Sequence, residues 1–485
     1  MNHKLAGFAF AVCSAFPVHA AGLEAAAVLR RADAAMGAAE LKTLRYAGSG
    51  SAWQFGQGYK AGAPWPKLNI PSYARLIDYE KGASREDVVR SRAEPTGGGG
   101  IPPAVGVEQR LSMAVAGTHA WNQVGPAPAA NPREVAARVH DIWITPHGVI
   151  KAALTNSAAL EFRTVKGKEV AVVSFTEKGQ YSATAFINAD YLVERVESRM
   201  PNPVLGDTAI VTTYEDYRHH GSIRFPSRIR QSAGGYPVLE LAVSEVQPNA
   251  AVDLPVPENV RGFAERVTSE KAADGVWYLA GATHHSVAIE MQDHVIVVES
   301  PLYDGRAAPM LEAVKKLVPG KPIRYVVNSH FHFDHAGGLR TAAAEGATIV
   351  THQATKAWYE KALANPNRIS PDLLAKSGRK AKVVGAGEKM VLKDGTRTVE
   401  IHHIRDSIHA VPFLMVYLPK ERLLIEADAY TPLAPNAAPP SPPNANNVNL
   451  VRNIERLKLP VDRILPLHGR IVPLAELHRT VGRAP

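Results

Sequence analysis

Four side chains within six positions constrain this chain more than anything else in it. His330, His332, Asp334 and His335 carry three imidazoles and one carboxylate, and Ala336-Gly337-Gly338 follows at once. Neutral imidazole and carboxylate are preferred ligands of a borderline cation such as zinc. On an extended segment alternate residues point the same way, so His330 and His332 reach one metal. Asp334 and His335 lie past the bend and point towards a second. A chance cluster of this kind is expected roughly once in a thousand chains of this length.

The surroundings fit such a site. Residues 321–328 are apolar and β-branched and predict a buried strand; 339–345 predict a helix and 346–352 a returning strand. Strand, ligand loop, helix and strand make an α/β arrangement with ligands at the carboxyl end of a strand. Six residues cannot close two metal sites, so further ligands are sought at element ends. His409 stands before a predicted strand at 411–418, Asp428 closes one at 422–428, and His468 follows the apolar run 464–467.

The succession His330-x-His332-x-Asp334-His335, then His409, Asp428 and His468, resembles the metallo-β-lactamase superfamily, and within it the dinuclear pattern of glyoxalase II and the metal-dependent lactonases. The resemblance covers about 270 to 485. It implies a four-layer αβ/βα sandwich with the site at one edge of the sheets. It also implies that His330, His332 and His409 hold one metal, that Asp334, His335 and His468 hold the other, and that Asp428 bridges them. Two positions depart from the usual pattern. Ile408 stands where a glycine commonly precedes the third motif's histidine. Glu299 stands where the first long strand commonly ends in aspartate, and a weaker hold on the ligand loop is expected there.

A pair of metals holding one water lowers its pKa towards about 7 and polarises a carbonyl or phosphoryl oxygen. The expected activity is therefore hydrolysis by a metal-bridging hydroxide, with Asp334 accepting the water's proton as its counterpart does in related hydrolases. The expected cofactors are two zinc ions, although iron or manganese suits the same ligands. Cys13 is the only cysteine, and it lies far from the motifs. That excludes the lactamase type with a cysteine ligand. A bridging Asp428 favours a small ester, thioester or lactone as substrate. A β-lactam-hydrolysing enzyme and a non-catalytic metal-containing binding protein are the alternatives.

Three further residues are candidates for the substrate cleft. Tyr430 and Asn446 lie on a proline-rich loop expected to run from Asp428 to Asn449. His285, in the doublet His284-His285, is a further candidate for the cleft mouth, although a plain turn is the favoured reading of the doublet. His402, His403 and His352 read as ordinary strand residues.

The amino terminus reads as an export signal. Lys4 precedes an apolar run from Leu5 to Phe16, and Val18 and Ala20 suit cleavage after Ala20. The run is too short for a stable membrane span. Removing this leader, with one lysine and no acid, takes the formal charge from +9 to +8. That balance is moderately basic, but no basic cluster or nucleic-acid motif accompanies it. A periplasmic or secreted protein with a small-molecule substrate is expected. The sequence carries no signal for an oligomeric state.

Residues 21–255 are expected to form a β-rich domain and 256–485 the catalytic one, joined by an extended linker at 252–257. The first opens with a helix at 22–32. Alternating strands follow, for example at 73–79, 171–175 and 238–246, with a break at Gly97 to Gly100. Tyr214 to Tyr217 and Gly221 to Pro226 resemble strand pairs of lipoprotein-carrier-like curved sheets. A packing platform and a half-barrel for a lipophilic ligand are both open readings of this region.

Overall fold

The computed structural model describes residues 18–94, 105–177, 180–435 and 437–483, with side chains from Glu24 onward. The glycine break at 97–100 lies outside the described residues, as does the expected leader up to residue 17.

Thirteen strands of the amino-terminal region form one antiparallel sheet. They are β1 (Thr43–Trp53), β2 (Lys67–Asp78), β3 (Ala83–Arg92), β4 (Gln109–Ala116), β5 (His119–Gln123), β6 (Ala129–Ala130), β7 (Ala159–Val165), β8 (Lys168–Glu177), β9 (Tyr181–Ile187), β10 (Val193–Asn202), β11 (Gly206–His220), β12 (Ile223–Ala233) and β13 (Tyr236–Pro248). The order is β6-β5-β4-β3-β2-β1-β13-β12-β11-β10-β9-β8-β7. Leu44 opposite Pro248 joins the first strand to the last. Both ends of the region therefore leave the sheet side by side.

Three helices cover one face of this sheet: α1 (Val18–Met36), α2 (Val135–Trp143) and α3 (Pro146–Thr155). On α1, the buried residues Ala25, Leu29, Ala32 and Met36 recur at helical spacing and form one stripe. At the start of α3, the Thr145 side chain accepts the Gly148 N–H and Pro146 occupies the first turn, as an unpaired helix start favours. Leu29, Met36, Ile142 and Ile150 pack with Leu44, Ile77 and Phe225 of the sheet. Each such side chain contributes about 1.5–3 kcal/mol by leaving water. Buried His140 on α2 bonds Glu177 at 3.1 Å and Ser198 at 2.6 Å, tying the helix to β8 and β10.

Residues 251–257 have no helix or strand, and two further sheets follow. The first holds β14 (Thr268–Ala273), β15 (Val276–Ala280), β16 (Ser286–Glu290), β17 (Val295–Val298), β18 (Ile323–Val327), β19 (Thr348–His352) and β20 (Lys382–Ala386), in that order. The second holds β21 (Lys389–Lys393), β22 (Thr398–His403), β23 (Leu414–Leu418), β24 (Leu423–Glu426), β25 (Arg463–Pro466) and β26 (Val472–Pro473). Strands β17, β23 and β24 are buried at every residue, the pattern of strands covered on both faces.

Ile289, Val298 and Val327 of the first sheet share one core with Leu424 and Ile464 of the second. The helix Asp304–Leu317 packs Met310, Leu311 and Val314 on the outer face of the first sheet. The helix Ala445–Leu457 buries Leu450, Val451 and Ile454 against the second. The result is helix, sheet, sheet, helix. Residues 328–335 follow β18, Asp428 follows β24, His468 follows β25 and His409 precedes β23, so one edge of the sandwich gathers them all.

Two sequence expectations are corrected here. The loop expected to run from Asp428 to Asn449 ends sooner, because Asn444 caps the helix Ala445–Leu457 by accepting the Asn446 N–H. Asp428 lies two residues past its strand instead of closing it.

Candidate metal centre

The segment that carries His330, His332, Asp334 and His335 is clamped at its start. Glu299 is fully buried and has φ of +66°. This left-handed turn sends its carboxylate to the Ser329 N–H at 2.7 Å and the Asn328 side-chain amide at 2.8 Å. The weaker hold expected of Glu299 is thus corrected: its longer side chain reaches two donors of the loop. Just beyond, the segment turns into the short helix Phe333–Ala336. A Cβ at Gly337 would lie 1.9 Å from the Leu302 carbonyl oxygen, so only glycine allows this approach.

His330, His332, His409 and Asp428 present ligand atoms within 4.8 Å of one another, and so do His284, His335 and His468. Asp428 stands between the groups. Its Oδ2 lies 2.8 Å from His409 Nε2, 3.4 Å from His330 Nε2 and 3.2 Å from His335 Nε2. Its Oδ1 lies 2.7 Å from His468 Nε2. The pairs His330–His409 and His335–His468 each bring two Nε2 atoms to 3.2 Å. Two nitrogens bound tetrahedrally to one zinc are about 3.3 Å apart, so the spacing suits a shared cation.

The far side of most rings is occupied. Ser329 Oγ meets His330 Nδ1 at 2.8 Å, the Gly58 carbonyl meets His332 Nε2 at 2.9 Å, and the Thr283 carbonyl meets His468 Nδ1 at 2.8 Å. Contacts of this kind fix ring orientation and choose the free nitrogen. His332 Nδ1 is buried without a hydrogen-bond partner, an orphaned lone pair within the first group. Donor chemistry, spacing and orphan atom all fit bound metal.

Burial pushes the imidazoles of His330 and His332 down, His332 to about 3, so both are neutral as ligands must be. Burial opposes the ionisation of Asp334 and Asp428. The surrounding histidines, His335 foremost, nevertheless hold both carboxyls well below the usual range. These carboxylates in turn lift His335 to about 10 against its own burial. The pair draws positive charge to this spot.

Residues 279–468 match the family model described as Metallo-beta-lactamase superfamily. This carboxyl-terminal region belongs to that superfamily. It is a metal-dependent hydrolase domain in class. A curated relative, 2,4-dinitroanisole O-demethylase subunit alpha of Nocardioides sp. (strain JS1661), is 28% identical over 89 residues. That stretch is 18% of this chain and 27% of the relative, so the match spans about a quarter of the relative's length. Similar solved structures include a metallo-beta-lactamase from Pontibacter korlensis, with TM-score 0.35, 16% identity and coverage of 45% of this chain and 98% of that one. DIM-1 metallo-beta-lactamase gives 0.34, 15%, 45% and 97%.

Within this superfamily domain, the structure brings together His330, His332, Asp334, His335, His409, Asp428 and His468. Ile408 in place of glycine is 40% exposed and leaves His409 buried at the site. The cleft residues fare differently. Tyr430 is 1% exposed, packed in the carboxyl-half core, because its own N–H turns back to Glu426 at 2.9 Å. Asn446 sits in the first turn of a helix. His285 turns away from both groups: its Nδ1 accepts the Gly281 N–H and its ring lies against Tyr278.

His284 takes the place considered for its neighbour, with Nε2 at 3.2 Å from Asp334 Oδ2 and its ring 4.3 Å from that of His468. The only signal for it in the sequence was the doublet itself. Gln57, whose amide nitrogen donates to Asp334 Oδ1 at 2.8 Å, left no signal at all.

Proposed function

We propose that this protein is an exported dinuclear zinc hydrolase of a small ester, thioester or lactone. The observation that carries this reading is Asp428, whose two oxygens face His409 and His468 in opposite groups. His330, His332 and His409 would hold one cation, and Asp334, His335 and His468 the other, with Asp428 shared. Bound there, two cations supply Lewis acidity and a water of lowered pKa.

The rest is the chain's own work. Ser329, Gly58 and Thr283 orient three rings. Glu299 holds the segment that carries four ligands. Asp334 is held through Oδ1 by Gln57, while its Oδ2 faces His284 and the second group, where it would meet a cation or the water bound to it. Esters, thioesters and lactones leave as anions and need no placed acid, whereas an amide nitrogen also needs a proton. This supports the ester class over lactams.

The test is a panel of esters, thioesters, lactones and β-lactams, compared by kcat/KM on one purified sample of known metal content. Lactams as clearly better substrates would replace this reading with the β-lactam one. A metal-free protein without turnover would point to a binding role.

A further inference from the structure

We infer that the loop between β1 and β2, residues 54–66 of the amino-terminal sheet, is a built part of the metal centre. Within it, Gly58 and Gln57 set which atoms of His332 and Asp334 face the cations. The inference rests on the metal-binding reading above and extends it to a region outside the superfamily match.

A carbonyl oxygen only accepts. The Gly58 carbonyl, 2.9 Å from His332 Nε2, therefore assigns the ring proton to that nitrogen. The lone pair is left on Nδ1, the buried atom without a partner, within the group of His330, His409 and Asp428. A free imidazole samples both tautomers, and one of them would present N–H to a cation. Gln57 acts on the other group. An amide facing a carboxylate presents its nitrogen, and Gln57 Nε2 binds Asp334 Oδ1 at 2.8 Å. Asp334 Oδ2 is then left facing His284 at 3.2 Å and His335 at 3.9 Å.

The loop is fastened to both ligand-bearing segments. Its Gly56 carbonyl accepts the Phe333 N–H at 3.2 Å. Tyr59 donates its hydroxyl to the Ser407 carbonyl at 2.8 Å, and its own carbonyl accepts the Val411 N–H at 2.9 Å. Phe55, Trp65 and Phe333 meet edge to face at 5.3 to 5.5 Å. Gly56 has φ of +79°, and a Cβ there would fall 2.5 Å from the Phe333 ring. The loop thus lies too close to tolerate any side chain at 56. A mere packing platform does not require two polar contacts on two different metal-ligand side chains.

The test uses the full mature chain stripped of metal and titrated with zinc against a chromophoric chelator. Cobalt(II) spectra and the melting temperature of the metal-free protein are recorded alongside. Gln57→Ala should weaken one site about 10–100-fold, the usual range for losing a partner of a ligand. Gly56→Ala lifts the loop without touching a ligand, and should weaken both sites and alter the cobalt band. Metal-free melting should match the parent in Gln57→Ala. Parent-like affinity and cobalt spectra in both variants would overturn the inference, and so would a loss of metal-free stability with affinity unchanged. Should Gly56→Ala fail to fold, Gln57→Ala decides alone. Zinc affinity is read without substrate, so a parent that binds zinc but turns over no ester counts against the proposed reaction and not against this loop.

Discussion

Asp428 Oδ1 stands 2.7 Å from Nε2 of His468, while the other oxygen of the same carboxylate serves the opposite histidine group. One residue therefore belongs to both candidate sites, and its charge is shared. Asp428→Asn keeps the shape and removes the charge. Zinc content after dialysis, read by plasma emission, should fall from about two per chain to one or fewer, and one affinity should drop by more than the 10–100-fold typical of outer contacts. Two zinc ions held as tightly as in the parent would reduce Asp428 to a carboxylate at a strand end.

His284 belongs to a doublet that reads in the sequence as a plain turn, yet it is buried against Asp334 and His468. His284→Phe keeps a ring and removes the nitrogen. The expected result is a second site weakened about tenfold or more with the first retained, seen as a split between two zinc affinities. Equal weakening of both sites would mean that His284 only packs.

His147 tests burial far from the metal centre. It is fully buried on α3, donates to the Met36 carbonyl at 3.1 Å, and is pushed down to about 4 by burial. The unfolded chain takes up a proton near pH 6.5. Between that value and about 4 the unfolded state binds more protons, so stability is full above pH 6.5 and falls on acidification. The advantage of the parent over His147→Asn should shrink by about 2 kcal/mol from pH 7 to pH 5 in denaturant unfolding. A constant difference across that range would mean that His147 takes up its proton in the fold as readily as in the unfolded chain.

Export is tested by the mass of the processed protein. The form recovered outside the cytoplasm should begin at Ala21. Recovery only of a cytoplasmic chain with Met1 intact would refute the leader.

The seven candidate ligand positions were legible because their chemistry is local and crowded: few chains place His330, His332, Asp334 and His335 within six residues by accident, and His409, Asp428 and His468 each stand where an apolar run begins or stops. The strands beneath them were legible for a related reason, since runs such as Leu414 to Leu418 have no other place to go than a doubly covered sheet.

What surrounds the ligands was not legible. His284 and His285 are adjacent and chemically identical, and only the path of the chain between β15 and β16 turns the first toward Asp334 and the second toward Tyr278. Tyr430 has the composition of a cleft residue, but Glu426 draws its backbone inward and buries the ring. Gln57 and Gly58 lie more than 270 residues before the atoms they touch. A hydrogen bond to a carbonyl leaves no mark on the sequence, because every residue carries that group. Side-chain identity and spacing therefore determined which residues can bind metal, while the docking of one sheet's loop on another sheet's edge decided what holds them in place.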